Sequence, residues 1–230
     1  MSNPKVVTAD EWLAARKALL AKEKAFTRER EALAAERRAL PMVKVDKPYA
    51  FEGPSGAATL RDLFGKQPQL IVYHFMLDPG WDAGCTSCSL IADNIEGGYR
   101  HLAARDTAFA LVSRAPLSKI EPFRKRMGWT SPWFSSSTSD FNFDLGVSFR
   151  DGDTVSTYNY APSDGEAGEL PGLSCFLRQG DDIFHTYSTY ARGLDALIGT
   201  YQYLDLTPMG RHEGELPYGM SWVKHHDKYE

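Results

Sequence analysis

The spacing of apolar residues divides the chain into a long helical start and a region of short apolar segments. Thr8 followed by Glu11 has the pattern of a capping box, and no Gly or Pro interrupts residues 9–39. This stretch consists mainly of Ala, Glu, Arg, Lys and Leu, which predicts one helix on the order of 45 Å long. Pro41 and Pro48 indicate that the helical arm ends there.

One large apolar residue recurs on this helix at every seventh position, as Trp12, Leu19, Phe26, Leu33 and Leu40. A single such position per heptad makes a stripe narrower than the two-position seam of a coiled coil. We therefore favour a helix packed along its own domain. A homodimer formed through this helix is the alternative.

The globular part begins near residue 49 with alternating strand and helix patterns. Residues 69–77 and 107–114 are apolar without polar alternation, which is typical of strands buried on both faces. Helical patterns follow each of them, over residues 85–104 and 116–127. A strand, a helix and a second strand in this order predict a parallel pair with a right-handed crossover.

The second half of the chain adds an insertion, a hairpin and a last helix. Residues 129–170 are dense in aromatic and small polar residues and have the character of an insertion with short strands. The hairpin strands are predicted at residues 173–178 and 183–189, around a Gln-Gly-Asp-Asp turn. The last helix is predicted at residues 193–203.

The complete element order is β-α-β-α, insertion, β-β-α, which is the order of the thioredoxin fold. The predicted fold is therefore an α/β, thioredoxin-like fold with a long N-terminal helix and an insertion before the third core strand. We expect an N-terminal helical arm at residues 1–48 and a thioredoxin-like domain at residues 49–230.

Composition narrows the function classes. A net charge of −4 argues against a general nucleic-acid surface. The longest apolar run, residues 70–77, is far shorter than the roughly 20 residues that cross a membrane. No secretory signal is visible, so we expect a soluble, cytoplasmic protein. Three cysteines are too few for a disulfide scaffold.

Cys85 and Cys88 carry the main chemical signal, because they fall where a buried strand passes into a helix. Unpaired N–H groups and the helix dipole stabilise a thiolate at that position, so Cys85 is the predicted nucleophile. Cys88 lies one turn further on the same face and is the predicted resolving thiol. The pair predicts a dithiol–disulfide oxidoreductase with a thiol or disulfide substrate.

A zinc site is the competing interpretation of this pair, but it needs four ligands. No second Cys-x-x-Cys is present, and the adjacent His225 and His226 have the wrong spacing for a finger. We therefore expect no metal. Cys175 falls in a predicted strand, where a buried, inert thiol is favoured over a second resolving thiol.

Four further residues are candidates for supporting roles. Pro171 precedes the third core strand, where thioredoxin-like folds carry a cis-proline, and is favoured over Pro162. Trp81 either shields the disulfide, presents a peptide-binding face or anchors its loop. Asp82 either relays a proton to Cys88 or is a solvated acid. Arg114 either favours the Cys85 thiolate or forms ion pairs at a strand end.

The chain also resembles a known family. The block Phe-Met-Leu-Asp-Pro-Gly-Trp-Asp-Ala-Gly-Cys-Thr-Ser-Cys-Ser at residues 75–89 is similar to bacterial thioredoxin-like proteins described as predicted dithiol–disulfide oxidoreductases of unknown function. Val-Ser-Arg-Ala-Pro at 112–116 and Phe-His-Thr-Tyr-Ser at 184–188 continue the resemblance. It implies the fold and a redox role, without naming a substrate.

Two other function classes stay open. A peroxiredoxin-like thiol peroxidase would carry Pro-x-x-x-Thr/Ser-x-x-Cys, and neither cysteine of the pair fits that spacing. A non-catalytic, redox-sensing binding module would use the long helix and the aromatic insertion as its surfaces. No Gly-rich phosphate loop follows a predicted strand, so no nucleotide cofactor is expected.

Overall fold

The structure of the protein is a computed structural model that describes residues 4–152, 156–163 and 168–230. The helices are α1 (Ala9–Arg38), α2 (Leu60–Leu63), α3 (Thr86–Ile95), α4 (Tyr99–Ala103), α5 (Leu117–Arg126), α6 (Phe141–Asp144) and α7 (Gly199–Leu204). Two 3₁₀ helices span Ala191–Leu197 and His226–Lys228. The strands are β1 (Val43–Lys44), β2 (Ala50–Gly53), β3 (Gly56–Thr59), β4 (Gln69–His74), β5 (Thr107–Ser113), β6 (Trp133–Ser135), β7 (Ser148–Phe149), β8 (Ser156–Tyr158), β9 (Ala161–Ser163), β10 (Gly168–Glu169), β11 (Gly172–Gln179) and β12 (Asp182–Tyr190).

An eight-stranded mixed sheet forms the frame, in the order β1-β12-β11-β4-β5-β6-β2-β3. β4 and β5 pair in parallel, with α3 in the connection between them. β11 pairs antiparallel with both β4 and β12. The central order β12-β11-β4-β5 is that of the thioredoxin fold, so the predicted fold class is confirmed.

The core lies on both faces of this sheet. Leu70 and Val72 of β4 pack into one apolar cluster, whereas Tyr73 packs into the other. The prediction of a strand buried on both faces is therefore confirmed for β4. The face that carries Tyr73 is covered by α3, α5 and the segment from the first 3₁₀ helix through α7.

The helix α1 begins as predicted, with Thr8 as N-cap and Glu11 completing the capping box. The preferred prediction is that α1 packs along its own domain. This prediction is wrong, because no residue of α1 is buried. Trp12 and Phe26 are 59% and 62% exposed. Near its C-terminus the Arg37 guanidinium lies 5.7 Å from the centre of the Tyr187 ring.

Two predicted helices are interrupted. The helix predicted at residues 85–104 breaks into α3 and α4, because Gly97 adopts a left-handed conformation with φ of 80°. The last helix splits into a 3₁₀ helix and α7 at Ile198, whose φ of −91° and ψ of 88° are not helical.

Several strands lie where none was predicted. The hairpin of β2 and β3 joins the sheet through β6, which belongs to the predicted insertion. β1 pairs with β12 although it lies in the predicted arm. The division at residue 48 stays a prediction. Within the described ranges, no helix combines the length and apolar composition that crossing a membrane requires.

Candidate functional site

The loop between β4 and α3 places Cys85 at the N-cap of α3. The Cys85 N–H donates to the carbonyl oxygen of Met76 at 3.0 Å, which ties the loop to the end of the strand. Gly84 is required just before it, because a Cβ there would lie 2.5 Å from Cε1 of Phe75 and 2.8 Å from Cε1 of Phe123. The close approach of these rings therefore fixes the path of the chain into the helix.

Cys85 is in a setting that favours the thiolate. A hydrogen bond from the Cys88 thiol, together with the N–H groups of Cys88 and Ser87, lowers the pKa of Cys85 to about 6. Burial acts in the opposite direction and is outweighed. Cys85 is thus a thiolate near neutral pH and is able to act as a nucleophile.

The surroundings of Cys88 instead favour the protonated thiol. Cys88 is 1% exposed, and burial and the neighbouring Cys85 raise the pKa of its thiol well above the usual range. The Tyr73 hydroxyl of β4 lies beside it and opposes that rise in pKa. Burial also raises the pKa of Tyr73, so this hydroxyl keeps its proton. It has no hydrogen-bond partner of standard geometry among the described residues.

A cavity of about 650 Å³ opens beside both cysteines. Its wall near the pair is formed by β4, α3 and the strand entry to β11, through Tyr73, Met76, Cys85, Ser87, Cys88, Ile91, Leu170 and Pro171. Its far wall comes from the C-terminal part of the chain, through Ala191, Arg192, Leu194, Asp195, Ile198, Tyr201, Glu213, Tyr218, Gly219 and Met220. The size is within the range of small-molecule sites.

Pro171 lies where the sequence predicts it, directly before β11 and in the wall of this cavity. The sequence does not decide whether the bond before Pro171 is cis or trans, and in the structure it is trans. The Pro171 carbonyl accepts a hydrogen bond from the Tyr158 hydroxyl at 2.7 Å. Its supporting role at the site stays a prediction.

Trp81 and Asp82 lie on the loop before Cys85, and neither lines the cavity. The Trp81 carbonyl accepts a bond from Lys119 Nζ at 3.0 Å, which agrees with a loop anchor. Asp82 is exposed, which agrees with a solvated acid. Their supporting roles stay predictions.

Arg114 is engaged by carboxylates. Its Nη2 lies 2.7 Å from Asp78 Oδ2, and its Nε donates to Glu169. The geometry therefore favours the ion-pair alternative over a direct effect on the Cys85 thiolate. The pairs tie the loop before the cysteines to β10.

The C-terminal tail holds the same loop from the other side, and the sequence analysis missed this. His225 Nε2 donates to the Gly84 carbonyl at 2.8 Å, and Arg126 Nη2 donates to its Nδ1 at 3.1 Å. Asp227 in turn accepts from Arg126 at 2.8 Å. Adjacent histidines in a tail carry no motif, so only the fold reveals this clamp.

The remaining candidates lie elsewhere or have no support. Cys175 is in β11, where burial raises its pKa to about 11. Within the described parts of the chain, no group of three or more His, Cys, Asp or Glu residues is arranged to hold a metal ion. The insertion residues Trp129, Trp133 and Phe141 are buried in the core.

Comparison with known proteins gives one strong match. Residues 1–229 match the family described as "Bacterial protein of unknown function (DUF899)". No curated protein matches the sequence.

Solved structures give only a distant likeness. Peroxidoxin BcpB from Mycobacterium tuberculosis is 11% identical, with a TM-score of 0.45 and 72% of this chain and 97% of that chain covered. Peroxiredoxin Q from Xanthomonas campestris is 14% identical, with a TM-score of 0.45 and coverages of 73% and 98%. A proposed protein disulfide isomerase from Bacteroides thetaiotaomicron is 18% identical, with a TM-score of 0.40 and coverages of 76% and 97%.

Proposed function

This chain belongs to the bacterial family DUF899, and we propose that it is a dithiol–disulfide oxidoreductase that uses Cys85 as nucleophile and Cys88 as resolving thiol. The observation that carries the proposal is the contrast between two thiols one helical turn apart. The pKa of Cys85 is lowered to about 6, whereas that of Cys88 is raised well above its usual range. A nucleophile and a thiol held in reserve are what a two-step exchange needs.

In the first step the Cys85 thiolate attacks one sulfur of a substrate disulfide. The substrate S–S bond breaks, a Cys85–substrate mixed disulfide forms, and the other half leaves as a thiolate that takes a proton from solvent. The bond from the Cys88 thiol to Cys85 is lost once Cys85 is no longer an anion, which removes one cause of the raised pKa of Cys88.

In the second step Cys88 loses its proton and attacks the Cys85 sulfur. The mixed disulfide breaks, the second half of the substrate leaves as a thiol, and the Cys85–Cys88 disulfide forms. The Tyr73 hydroxyl stabilises the Cys88 thiolate in this step, since it is a protonated donor beside it. A dithiol reductant then returns the pair to the reduced state, and we propose the cytoplasm as the compartment that supplies one.

A single-turnover experiment tests this proposal. Reduced protein in a Cys175→Ser background is freed of reductant and mixed with hydroxyethyl disulfide. The unmodified pair should release two thiols per protein and end as the Cys85–Cys88 disulfide, located by peptide mass. Cys88→Ser should release one thiol and remain as a mixed disulfide on Cys85, and Cys85→Ser should release none. Equal release from both serine variants would contradict the assigned roles.

Two further reagents, hydrogen peroxide and a dithiol reductant, extend this experiment to the two other function classes. A thiol peroxidase would consume hydrogen peroxide faster than disulfides and form a sulfenic acid on Cys85 in Cys88→Ser. A redox-sensing binding module would form the disulfide once, without turnover when a dithiol reductant is added. Arg192, a cation in the cavity wall, has an 85% exposed side chain paired with Asp195, so it gives no support for a peroxide-binding site.

A further inference from the structure

The cavity beside Cys85 has walls that select against charge. Apolar and aromatic side chains form most of the lining, among them Met76, Ile91, Leu194, Ile198 and Met220. Since a buried unpaired charge is costly, an ionised ligand is accepted only where the wall supplies a counter-charge or donors.

The carboxylates of the wall are already engaged by neighbouring side chains. Asp195 Oδ2 lies 2.7 Å from Arg211 Nη1 and 3.1 Å from Arg192 Nη2. Glu213 Oε1 accepts from Tyr201 and Trp222 at 2.6 Å each. The described lining therefore has one cation, Arg192, whose side chain is 85% exposed and paired with Asp195, against the two carboxylates Asp195 and Glu213. This charge balance disfavours the carboxylates of an anionic thiol compound.

One buried polar group of the wall, the Tyr73 hydroxyl, lies next to the reacting thiols. The Tyr73 hydroxyl is fully buried, lines the cavity and has no hydrogen-bond partner of standard geometry in the described chain. Because burial keeps this hydroxyl protonated and neutral, it adds no charge to the wall that would attract an ionised ligand.

From these three observations we propose that the substrate is a small, uncharged and mainly apolar disulfide. This inference rests on the proposed function and adds the substrate class to it. Cys85 attacks one sulfur of R–S–S–R, one RSH leaves, and attack by Cys88 releases the second RSH. Two electrons pass from the cysteine pair to the substrate, and a dithiol restores the pair.

Two probes that differ only in charge test the substrate class. They are dithiodipropionate, a dianion, and its uncharged dimethyl ester. The rate of Cys85–Cys88 disulfide formation is measured with each under excess probe. Free dithiothreitol under the same conditions gives the intrinsic ratio of the two probes. We expect the protein to favour the ester by about 10-fold beyond that intrinsic ratio.

A variant of the wall sharpens the test. Met220→Lys adds a cation to the cavity and should reduce the preference for the ester to the intrinsic ratio or below it. Tyr203→Lys adds the same charge on a side chain that is 76% exposed and is not part of the wall, and it should leave the preference unchanged.

The outcomes separate the inference from the proposed function. If both probes oxidise the cysteine pair and the ratio of their rates equals the intrinsic ratio, the proposed substrate class is overturned. The oxidoreductase proposal then still stands. Faster oxidation by a disulfide on an unfolded protein than by the ester would also overturn it, in favour of a polypeptide substrate. Failure of every disulfide to oxidise the pair would overturn both.

A second, independent observation concerns α1. Trp12, Leu19, Phe26 and Leu33 line one face of this helix and are 59%, 51%, 62% and 47% exposed. Large side chains repeated at seven-residue spacing over a 30-residue helix make a continuous apolar stripe that no part of the described chain covers.

The charges beside the stripe favour a second copy of this helix as its partner. Residues three and four positions after Leu19, Phe26 and Leu33 flank the stripe, and they form the charged pairs Lys22/Glu23, Glu29/Arg30 and Glu36/Arg37. When two copies of this helix lie parallel and in register, the first residue of each charged pair faces the second residue of the same charged pair on the other copy. Opposite charges then meet in the Leu19, Phe26 and Leu33 layers. An antiparallel pair centred on Phe26 also brings Lys22 to Glu29 and Glu23 to Arg30, but it places Arg16 close to Arg37, a like-charge contact that the parallel pair avoids.

We propose that two copies of the chain associate through α1, parallel and in register. The measurement is the mass in solution at micromolar concentration, by light scattering. The protein should be a dimer, and Phe26→Glu should be a monomer. Leu20→Glu makes the same change on another face of the helix and should remain a dimer. A monomeric parent protein, or equal effects of the two substitutions, would overturn the proposal.

Cross-linking tests the orientation. Leu19→Cys should form a disulfide between the substituted positions of the two copies under mild oxidation, because equivalent residues face each other only in the parallel arrangement. Leu33→Cys should behave in the same way. Cross-links that form only when the two variants are mixed would indicate antiparallel helices and contradict the proposal.

Discussion

Cys85 and Cys175 are the same side chain in one domain, both partly buried, and the structure gives them opposite chemistry. Cys85 caps α3, where Cys88 and Ser87 offer donors, and its pKa falls to about 6. Cys175 lies inside β11, paired with Ile71 on one side and Tyr187 on the other. The backbone donors around it belong to the sheet, so burial acts alone and its pKa rises to about 11.

The comparison shows that burial does not decide whether a thiol reacts. Burial raises the pKa of both thiols, and only the donors at the helix start reverse the effect. A strand interior satisfies its N–H groups before any side chain can use them, whereas the first turn of a helix leaves them free. The difference in pKa therefore comes first from the Cys88 thiol one helical turn away and then from the free N–H groups at the helix start, and substitutions at each thiol should expose it.

The largest expected effect is loss of exchange at one thiol and none at the other. Cys85→Ser should lower the rate of thiol release from hydroxyethyl disulfide by about 100-fold or more, because the nucleophile is gone. Cys175→Ser should leave the rate within about 2-fold, since its thiol stays protonated. Equal losses in the two variants would show that the comparison is wrong.

The next effect is a difference in pH dependence. The alkylation rate of Cys85 by iodoacetamide should rise through about pH 6, where its thiolate forms. That of Cys175 should rise only towards about pH 11. A thiol is a thiolate above its pKa and is protonated below it. Cys85 should therefore lose its reactivity as the pH falls below about 6. Cys175 should be unreactive at neutral pH, because its pKa is about 11. Peptide mass after timed labelling distinguishes the two.

A smaller effect is expected at Tyr73, which acts on the second step. Tyr73→Phe should slow release of the second thiol by about 10-fold and leave the first release unchanged, because it removes the donor beside Cys88. Tyr49→Phe is the matched control, since that hydroxyl bonds Asp144 on the other face of the sheet. Equal slowing of both releases would assign Tyr73 a merely structural role.

The smallest effect is expected at the tail clamp. His225→Ala removes the bond to the Gly84 carbonyl and should slow Cys85 alkylation at neutral pH by about 3-fold. His225→Gln retains an N–H donor and should restore most of the rate. If Gln and Ala behave alike, the clamp does not position Cys85.

Much of the fold was predictable because its signals are local. The capping box at Thr8 and the buried apolar pattern of β4 each correspond to one element of the structure. The break at Gly97 was not predicted, because the sequence alone does not show whether a glycine within a helical pattern adopts a helical or a left-handed φ angle. The hairpin of β2 and β3 was missed because its strands are short and mostly exposed on one side.

The site was predictable only as far as the cysteine spacing reached. Cys85 and Cys88 stand out by their position between a strand and a helix. Tyr73, Met220 and His225 join them through contacts between elements distant in the sequence, and no motif marks them. The apolar stripe of α1 could be recognised in the sequence. Its exposure could not, because it depends on whether the rest of the chain packs against α1.

A redox titration of the three thiols tests the central claim most directly. The protein is equilibrated with dithiothreitol buffers of stepped potential, all thiols are trapped, and each cysteine is quantified by peptide mass. The account predicts that Cys85 and Cys88 are oxidised together to one reversible disulfide with a single midpoint, while Cys175 stays a free thiol. Independent oxidation of Cys85 and Cys88, or a disulfide that includes Cys175, would contradict it.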